Sequence, residues 1–175
     1  NALASLRSLG RASAWWVQEA RDGLLLTHLP SLYAHMMTHE PSAAQVNGLI
    51  TFALSPQQAQ RLNARPLSDL GVSFEPFGEL SVRLVSLPQG LEEDCEEGDL
   101  RAPLEALLTC ASGEESATWL KALTSLPLSA TARARALTWL REGGRALIER
   151  GEAPSCFVQL SWRDLLRQRG GLPLF

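Results

Sequence analysis

Short segments of alternating apolar and polar residues recur along the chain and predict β-strands. Residues 9–18 and 23–27 are rich in Trp, Val and Leu and flank Asp22-Gly23, a sequence typical of tight turns, so they predict a β-hairpin. The same alternation predicts further strands over residues 49–54, 72–75, 80–85 and 157–160. The pattern thus indicates small sheets built from short strands, the one at 80–85 with Leu80, Val82 and Leu84 on one face.

Helical periodicity fills most of the remaining chain. A helix is predicted over about 30–38, and Ser55-Pro56 is typical of the cap and first position of another, which ends before Pro66 or continues past it with a kink. Further helices are predicted over about 99–110, 115–125, 130–150 and 162–169, the last with Ser161 as its cap. Two segments between these elements have the composition of a linker (40–44) and of an acidic loop (92–98).

The order of these elements predicts an α+β fold with small mixed sheets, packed helices and two lobes. The first and last blocks of elements are each too small to close a hydrophobic core alone, so we expect them to pack together. Residues 1–40 and 128–175 would then form one lobe, and residues 41–127 would form a second lobe inserted between them.

Composition narrows the function classes. The 175 residues are 45% hydrophobic and 20% charged, ordinary values for a soluble globular protein, and no apolar run approaches the ~20 residues of a membrane span. The net charge of -3 gives no global basic field, so DNA contact would need a local patch. The chain begins at Asn1 rather than Met and shows no signal peptide, so we expect a cytoplasmic fragment of a longer protein.

The cysteines and histidines offer weak candidates for metal or nucleophile chemistry. Three widely spaced cysteines, without C-x-x-C spacing, argue against a disulfide framework or a zinc ribbon and fit a reducing compartment. His35 and His39 lie four residues apart on one predicted helix, but no third ligand is near in sequence, so we expect two surface histidines. Ser31 and Ser161 lack a G-x-S-x-G context. The sequence therefore predicts no catalytic residue, no metal and no cofactor.

Two other groups of residues point to binding. Four arginines of the predicted helix over 130–150 form a basic stripe that either contacts DNA phosphates or solvates the helix: Arg133, Arg135, Arg141 and Arg145. Five tryptophans are many for this length, and adjacent Trp15 and Trp16 on one strand must point to opposite faces. One of the two can fill the core, and the other needs a helix, a second lobe or a partner chain. This is a physical indication of an assembly surface.

The order of motifs resembles the C-terminal domain of MutL DNA mismatch-repair proteins. Leu9-Gly10-Arg11 before the strand at residues 15–17 is similar to the start of that domain. Residues 69–75 and 80–88 are similar to its L-G-I-x-F and V-x-I-R-x-V-P motifs. Residues 157–165 resemble its final strand and helix. The likeness covers nearly the whole chain in the right order.

The resemblance implies a homodimer that works with an N-terminal ATPase region, MutS, MutH and a helicase. The net charge of -3 and the local arginine stripe predict weak and non-specific DNA binding. Candidate residues for the dimer interface are Trp15, Trp16, Val158, Leu160 and Trp162. Nuclease-active relatives carry a D-Q-H-x-x-x-E-R-type motif, whose Asp, His and Glu align here with His28, Pro30 and Ala34. The C-P-H-G-R-P segment of those relatives has no match near Cys156. The resemblance therefore implies the nuclease-free branch of the family.

The family's sliding-clamp motif, Q-x-x-[LI]-x-P, would fall at residues 45–50. Gln45 fits this motif, but the spacing to Leu49 is off and Ile50 stands where the motif ends in Pro, which argues against clamp binding. Two other classes of function stay open from the residues alone. One is a metal-dependent hydrolase or nuclease, and the other is an assembly adaptor outside DNA repair.

Overall fold

The computed structural model describes residues 7–12, 14–64, 67–144, 146, 150 and 156–168. Within them, eight strands form two antiparallel sheets, and helices pack around both. The predicted α+β fold class is confirmed. Arg145, Leu147 and Ile148, which the sequence placed on a predicted helix, lie outside the described residues.

The first sheet unites the two ends of the described chain. Its strands, in the order β1-β2-β3-β8, are β1 (Arg7–Ala12), β2 (Trp15–Ala20), β3 (Gly23–His28) and β8 (Phe157–Ser161). The predicted hairpin is confirmed for β2 and β3, which pair from Trp15↔His28 to Ala20↔Gly23 across a two-residue turn. A Cβ atom on Gly23 would lie 1.8 Å from the carbonyl oxygen of Leu160, so only glycine lets β8 approach β3 this closely.

The prediction of one strand over residues 9–18 was wrong. The chain reverses after Ala12, and β1 and β2 are antiparallel neighbours, with pairs from Arg7↔Glu19 to Ala12↔Trp15. The reversal has no Gly, Pro, Asn or Asp in the sequence Ala12-Ser13-Ala14, and these are the residues that usually mark turns. The pattern of apolar residues therefore did not predict the turn between β1 and β2.

The second sheet is built around one long strand, β7 (Ser81–Pro88). Strands β5 (Thr51–Ala53) and β4 (Ala43–Gln45) pair with its beginning and its end, and β6 (Ser73–Pro76) pairs along it as well. The predicted antiparallel pair β6–β7 is confirmed, but Leu80 precedes the strand and is exposed, whereas Val82 and Leu84 are buried. The predicted linker over 40–44 was wrong in part, because Ala43 and Ala44 belong to β4 through their long-range pairing with β7.

Seven helices are described. They are α1 (Leu29–Thr38), α2 (Pro56–Ala64), α3 (Leu91–Asp94), α4 (Glu97–Thr109), α5 (Glu115–Thr124), α6 (Ala130–Trp139) and α7 (Trp162–Gln168). Most of the acidic segment 92–98 is not a loop, since it contains the last three residues of α3 and the first two residues of α4. In place of the helix predicted over 130–150, the α-helix ends at Trp139, and a wider π-helical turn follows it over Leu140–Gly144.

The hydrophobic core is centred on α1, which packs against α5 and α6. Leu29, Tyr33 and Ala34 on α1 are completely buried, and so is Trp119 on α5. The buried cluster continues without interruption from the first sheet to the second sheet and to α4. The division into a terminal lobe and an inserted lobe stays a prediction.

Candidate assembly surface

One face of the first sheet is mainly apolar but not fully buried, and the exposed Glu19 lies at its margin opposite Leu24. Side chains alternate along each strand, and the strand register places Val17, Leu26 and Val158 in one row across β2, β3 and β8, with Leu24 and Leu160 paired beside it. Val158 is exposed, and the others are only half-buried. Together with Trp15 at the end of β2, these six residues define the outer face of the first sheet. A sheet face this rich in aliphatic side chains normally packs against another layer.

The two adjacent tryptophans separate as expected. Trp16 is 8% exposed and belongs to the core of the chain, on the inner face of the sheet with Gln18 and Thr27. Trp15 is half-buried on the outer face, where its ring lies 4.7 Å from the ring of His28, its cross-strand partner. Of these two tryptophans, the structure thus leaves only Trp15 accessible to a partner.

The last strand and helix add further exposed apolar side chains. Strand β8 is at the edge of the described sheet, and Val158 on it is 41% exposed. On α7, Trp162 and Leu166 are 41% and 67% exposed. The sequence interpretation missed Leu166, although its spacing of four residues from Trp162 puts both on one helix face. Leu160 is half-buried on the outer face of the first sheet.

The three residues that the sequence resemblance aligned with a metal-ligand motif have structural roles in α1. His28 is the N-cap of α1, and its Nδ1 accepts a hydrogen bond from the Ser31 amide at 3.4 Å and lies 2.7 Å from Ser31 Oγ. Pro30 fits the first turn of α1, where no backbone N–H is needed. Ala34 is completely buried between helices. These residues start and pack a helix.

The histidine pair on α1 is divided between two environments. His35 is half-buried, and burial lowers its pKa, whereas His39 is exposed at the end of α1 with its ring 6.1 Å from that of Trp139. Across the described residues, no group of three or more His, Cys, Asp or Glu side chains is placed to hold a metal ion. The described cysteines, Cys95, Cys110 and Cys156, are not in disulfides.

The described arginines of the predicted stripe lie in different environments. Arg135 forms an ion pair with Asp94 at 2.5 Å and also donates to the Gly90 carbonyl at 3.1 Å. Arg133 is half-buried, Arg141 is exposed, and Arg145 lies outside the described residues. Arg135 and Arg133 are two positions apart on α6, so they point to different sides of the helix. Arg141 is therefore the described stripe member most available to phosphates.

The residues of the clamp-motif remnant lie at a loop beside β7. Gln45 and Leu49 line an open surface pocket of about 210 Å³, and Leu49 is 62% exposed, whereas Ile50 is buried. The carboxylate of Glu92 accepts hydrogen bonds from the backbone amides of Asn47 and Gly48 in this loop. The sequence interpretation treated Glu92 as part of an acidic loop and missed this contact.

Comparison with known proteins gives no assignment, since no protein-family model matches the sequence and no curated protein does either. Within the residues that the structure covers, no helix combines the length and the apolar character needed to cross a membrane.

Proposed function

We propose that the chain is a non-catalytic homodimerisation and partner-coupling domain of a MutL-type DNA mismatch-repair protein. A bacterial, cytoplasmic location belongs to this proposal, as do MutS, MutH and a helicase as partners. The observation that carries it is the outer face of the first sheet. Its aliphatic side chains continue to Val158 on an edge strand, so a second copy of the chain can cover both the face and the edge.

The proposed dimer has a physical reason. Leaving aliphatic side chains half-exposed forgoes roughly 25 cal/mol for each Å² that stays in contact with water. A stable dimer of this kind buries on the order of 2,000 Å² or more. The non-catalytic part of the proposal draws support from His28, Pro30 and Ala34, which serve the start and the packing of α1.

The test replaces one apolar side chain on the proposed interface by a charge. Val158→Glu places a carboxylate on the outer face without filling the core, because Val158 is already 41% exposed. The matched control is Leu80→Glu, at a residue that is 45% exposed beside the second sheet. We expect Val158→Glu to give the molar mass of one chain in light scattering, while Leu80→Glu keeps that of two. Equal masses for both variants would contradict the assignment of the interface.

The metal content of the purified chain distinguishes the proposed binding domain from the alternative, a metal-dependent hydrolase. Elemental mass spectrometry of the purified chain, after dialysis against a weak chelator, measures zinc and manganese per chain. We expect neither metal at a stoichiometric level. One equivalent of either metal, together with metal-dependent nicking of plasmid DNA that His35→Ala abolishes, would favour the enzyme instead.

A further inference from the structure

Helix α3 is bound at its end to two other helices by a buried carboxylate. Asp94 is 3% exposed and accepts hydrogen bonds from Tyr33 Oη on α1 at 2.8 Å and from Arg135 on α6 at 2.5 Å. Burial and the hydrogen bond to Asp94 raise the pKa of Tyr33 far above its ordinary value, so the phenol stays a donor. A carboxylate this deeply buried needs such partners, because an unpaired charge in the interior is strongly destabilising.

The beginning of α3 is held by the same guanidinium. Gly90, the residue before α3, has φ +89°, and its carbonyl accepts a hydrogen bond from Arg135 at 3.1 Å. A Cβ atom on Gly90 would lie 2.1 Å from the Arg135 side chain, so the guanidinium occupies the space that any other residue would need. Arg135 therefore fixes both ends of α3 to α6.

The opposite contact of α3 is with an exposed loop. Glu92 accepts hydrogen bonds from the Asn47 amide at 3.0 Å and from the Gly48 amide at 3.2 Å. The next residue of that loop is Leu49, which is 62% exposed. Hydrogen bonds from backbone amides to a carboxylate are stronger than bonds between neutral groups. Glu92 thus sets the conformation in which the loop presents Leu49 to solvent.

We infer that α3 is a rigid link that couples the position of α6 to the conformation of the loop Asn47–Leu49. Its four residues span only about 6 Å, too short to bend between Asp94 and Glu92. Movement of Arg135 therefore moves Glu92, and with it the loop. Because such coupling is reciprocal, a partner that binds the loop at Leu49 would shift the equilibrium position of α6. The coupling free energy is the same in both directions. The contacts that would carry this coupling run from Arg135 through Asp94 and α3 to Glu92 and the loop.

Amide hydrogen exchange measured by NMR on the full chain tests the link. The reference variant is Glu92→Ala, which should raise the exchange rates of the Asn47 and Gly48 amides about tenfold. Its control, Glu93→Ala, removes the neighbouring exposed carboxylate and should leave both rates unchanged. The decisive variant is Arg135→Met with Asp94→Asn, which removes both charges together so that no buried carboxylate is left unpaired. We expect the same two amides, although they touch neither residue, to exchange about fivefold faster or more.

Faster exchange at Asn47 and Gly48 in the double variant, with none in Arg141→Met, supports the link. Unchanged exchange at those two amides in the double variant would overturn it, whether or not the amides of α3 itself exchange faster. If the double variant does not fold, Tyr33→Phe removes one donor to Asp94 and leaves both charges in place. The same pair of amides is then measured, with the same two outcomes.

Discussion

At the scale of single residues, Asp94 joins three helices through one carboxylate. Replacing it by alanine leaves Tyr33 Oη and the Arg135 guanidinium without their shared acceptor. We expect Asp94→Ala to lower the free energy of unfolding by about 2–3 kcal/mol, below the largest values for buried pairs because Arg135 is partly exposed. Tyr33→Phe removes one hydrogen bond and should cost about 1 kcal/mol.

Urea denaturation of these variants checks the expectation. Glu93→Ala is the control, since the exposed neighbour of Asp94 should change the free energy of unfolding by less than about 0.5 kcal/mol. A loss for Asp94→Ala no larger than that for Glu93→Ala would show that the charge cluster contributes little to stability.

The thiol of Cys95, next to Asp94, should react with a different pH dependence from that of a free cysteine. Burial raises the pKa of its thiol from 9.0 to about 11, and the carboxylates of Asp94 and Asp99 act in the same direction. At pH 8 its thiolate fraction should be roughly ten- to a hundredfold smaller than that of a free cysteine. We therefore expect iodoacetamide to modify Cys95 correspondingly more slowly than it modifies a cysteine in a short peptide, as followed by mass spectrometry.

The same shift has a consequence for stability. Between about pH 9 and pH 11 the unfolded chain loses the Cys95 proton while the folded chain keeps it. The protonated thiol therefore contributes fully to the free energy of unfolding below pH 9, and this contribution is lost as the pH rises through that range. Cys95→Ala should reduce this alkaline decline in denaturation experiments. Modification of Cys95 at the rate of the peptide cysteine would contradict both expectations.

At the scale of elements, local signals in the sequence were sufficient where the structure is local. Ser55 and Gln58 form a reciprocal pair at the start of α2, with Gln58 N donating to Ser55 Oγ and Ser55 N donating to Gln58 Oε1. Ser161 Oγ accepts from the Asp164 amide at the start of α7. Both caps, and the turn between β2 and β3, depend on residues within three or four positions, so single-sequence patterns predict them.

Elements that depend on distant partners were not predictable in the same way. Strand β4 exists because Ala43 and Ala44 pair with Pro88 and Leu87, more than forty residues later. The acidic segment becomes α3 because Asp94 meets Arg135, 41 residues away. Sequence patterns do not encode such pairings. For the candidate site, the same limit explains why Trp15 and Val158 were recognised as apolar candidates while their common face was not.

The prediction about DNA binding concerns the arginines of α6 and of the π-helical turn after it. Because Arg135 is bound to Asp94, at most Arg133 and Arg141 of the described stripe contact phosphates, and two contacts give a slope of log affinity against log salt of about -2. We expect weak, non-specific binding in fluorescence anisotropy, reduced for all duplex sequences by Arg141→Glu. The control is Arg61→Glu on α2, also at an exposed arginine. Equal losses for the two variants would show that the binding is not local to α6.

At the scale of the whole molecule, the two ends of the described chain meet in one sheet. Strand β8 pairs with β3 along its whole length, so the outer face of the first sheet contains residues from both ends. The proposed dimer interface is therefore complete only when the two ends of the described chain have paired in this sheet. A second copy would therefore recognise the folded chain rather than a linear segment of it.

The molar mass of the chain in solution tests the central claim most directly. Light scattering coupled to size-exclusion chromatography, at micromolar concentrations, measures this mass independently of molecular shape. The proposed homodimer predicts twice the 19.1 kDa of a single chain. A mass of one chain, unchanged as the concentration rises into the range of tens of micromolar, would contradict it.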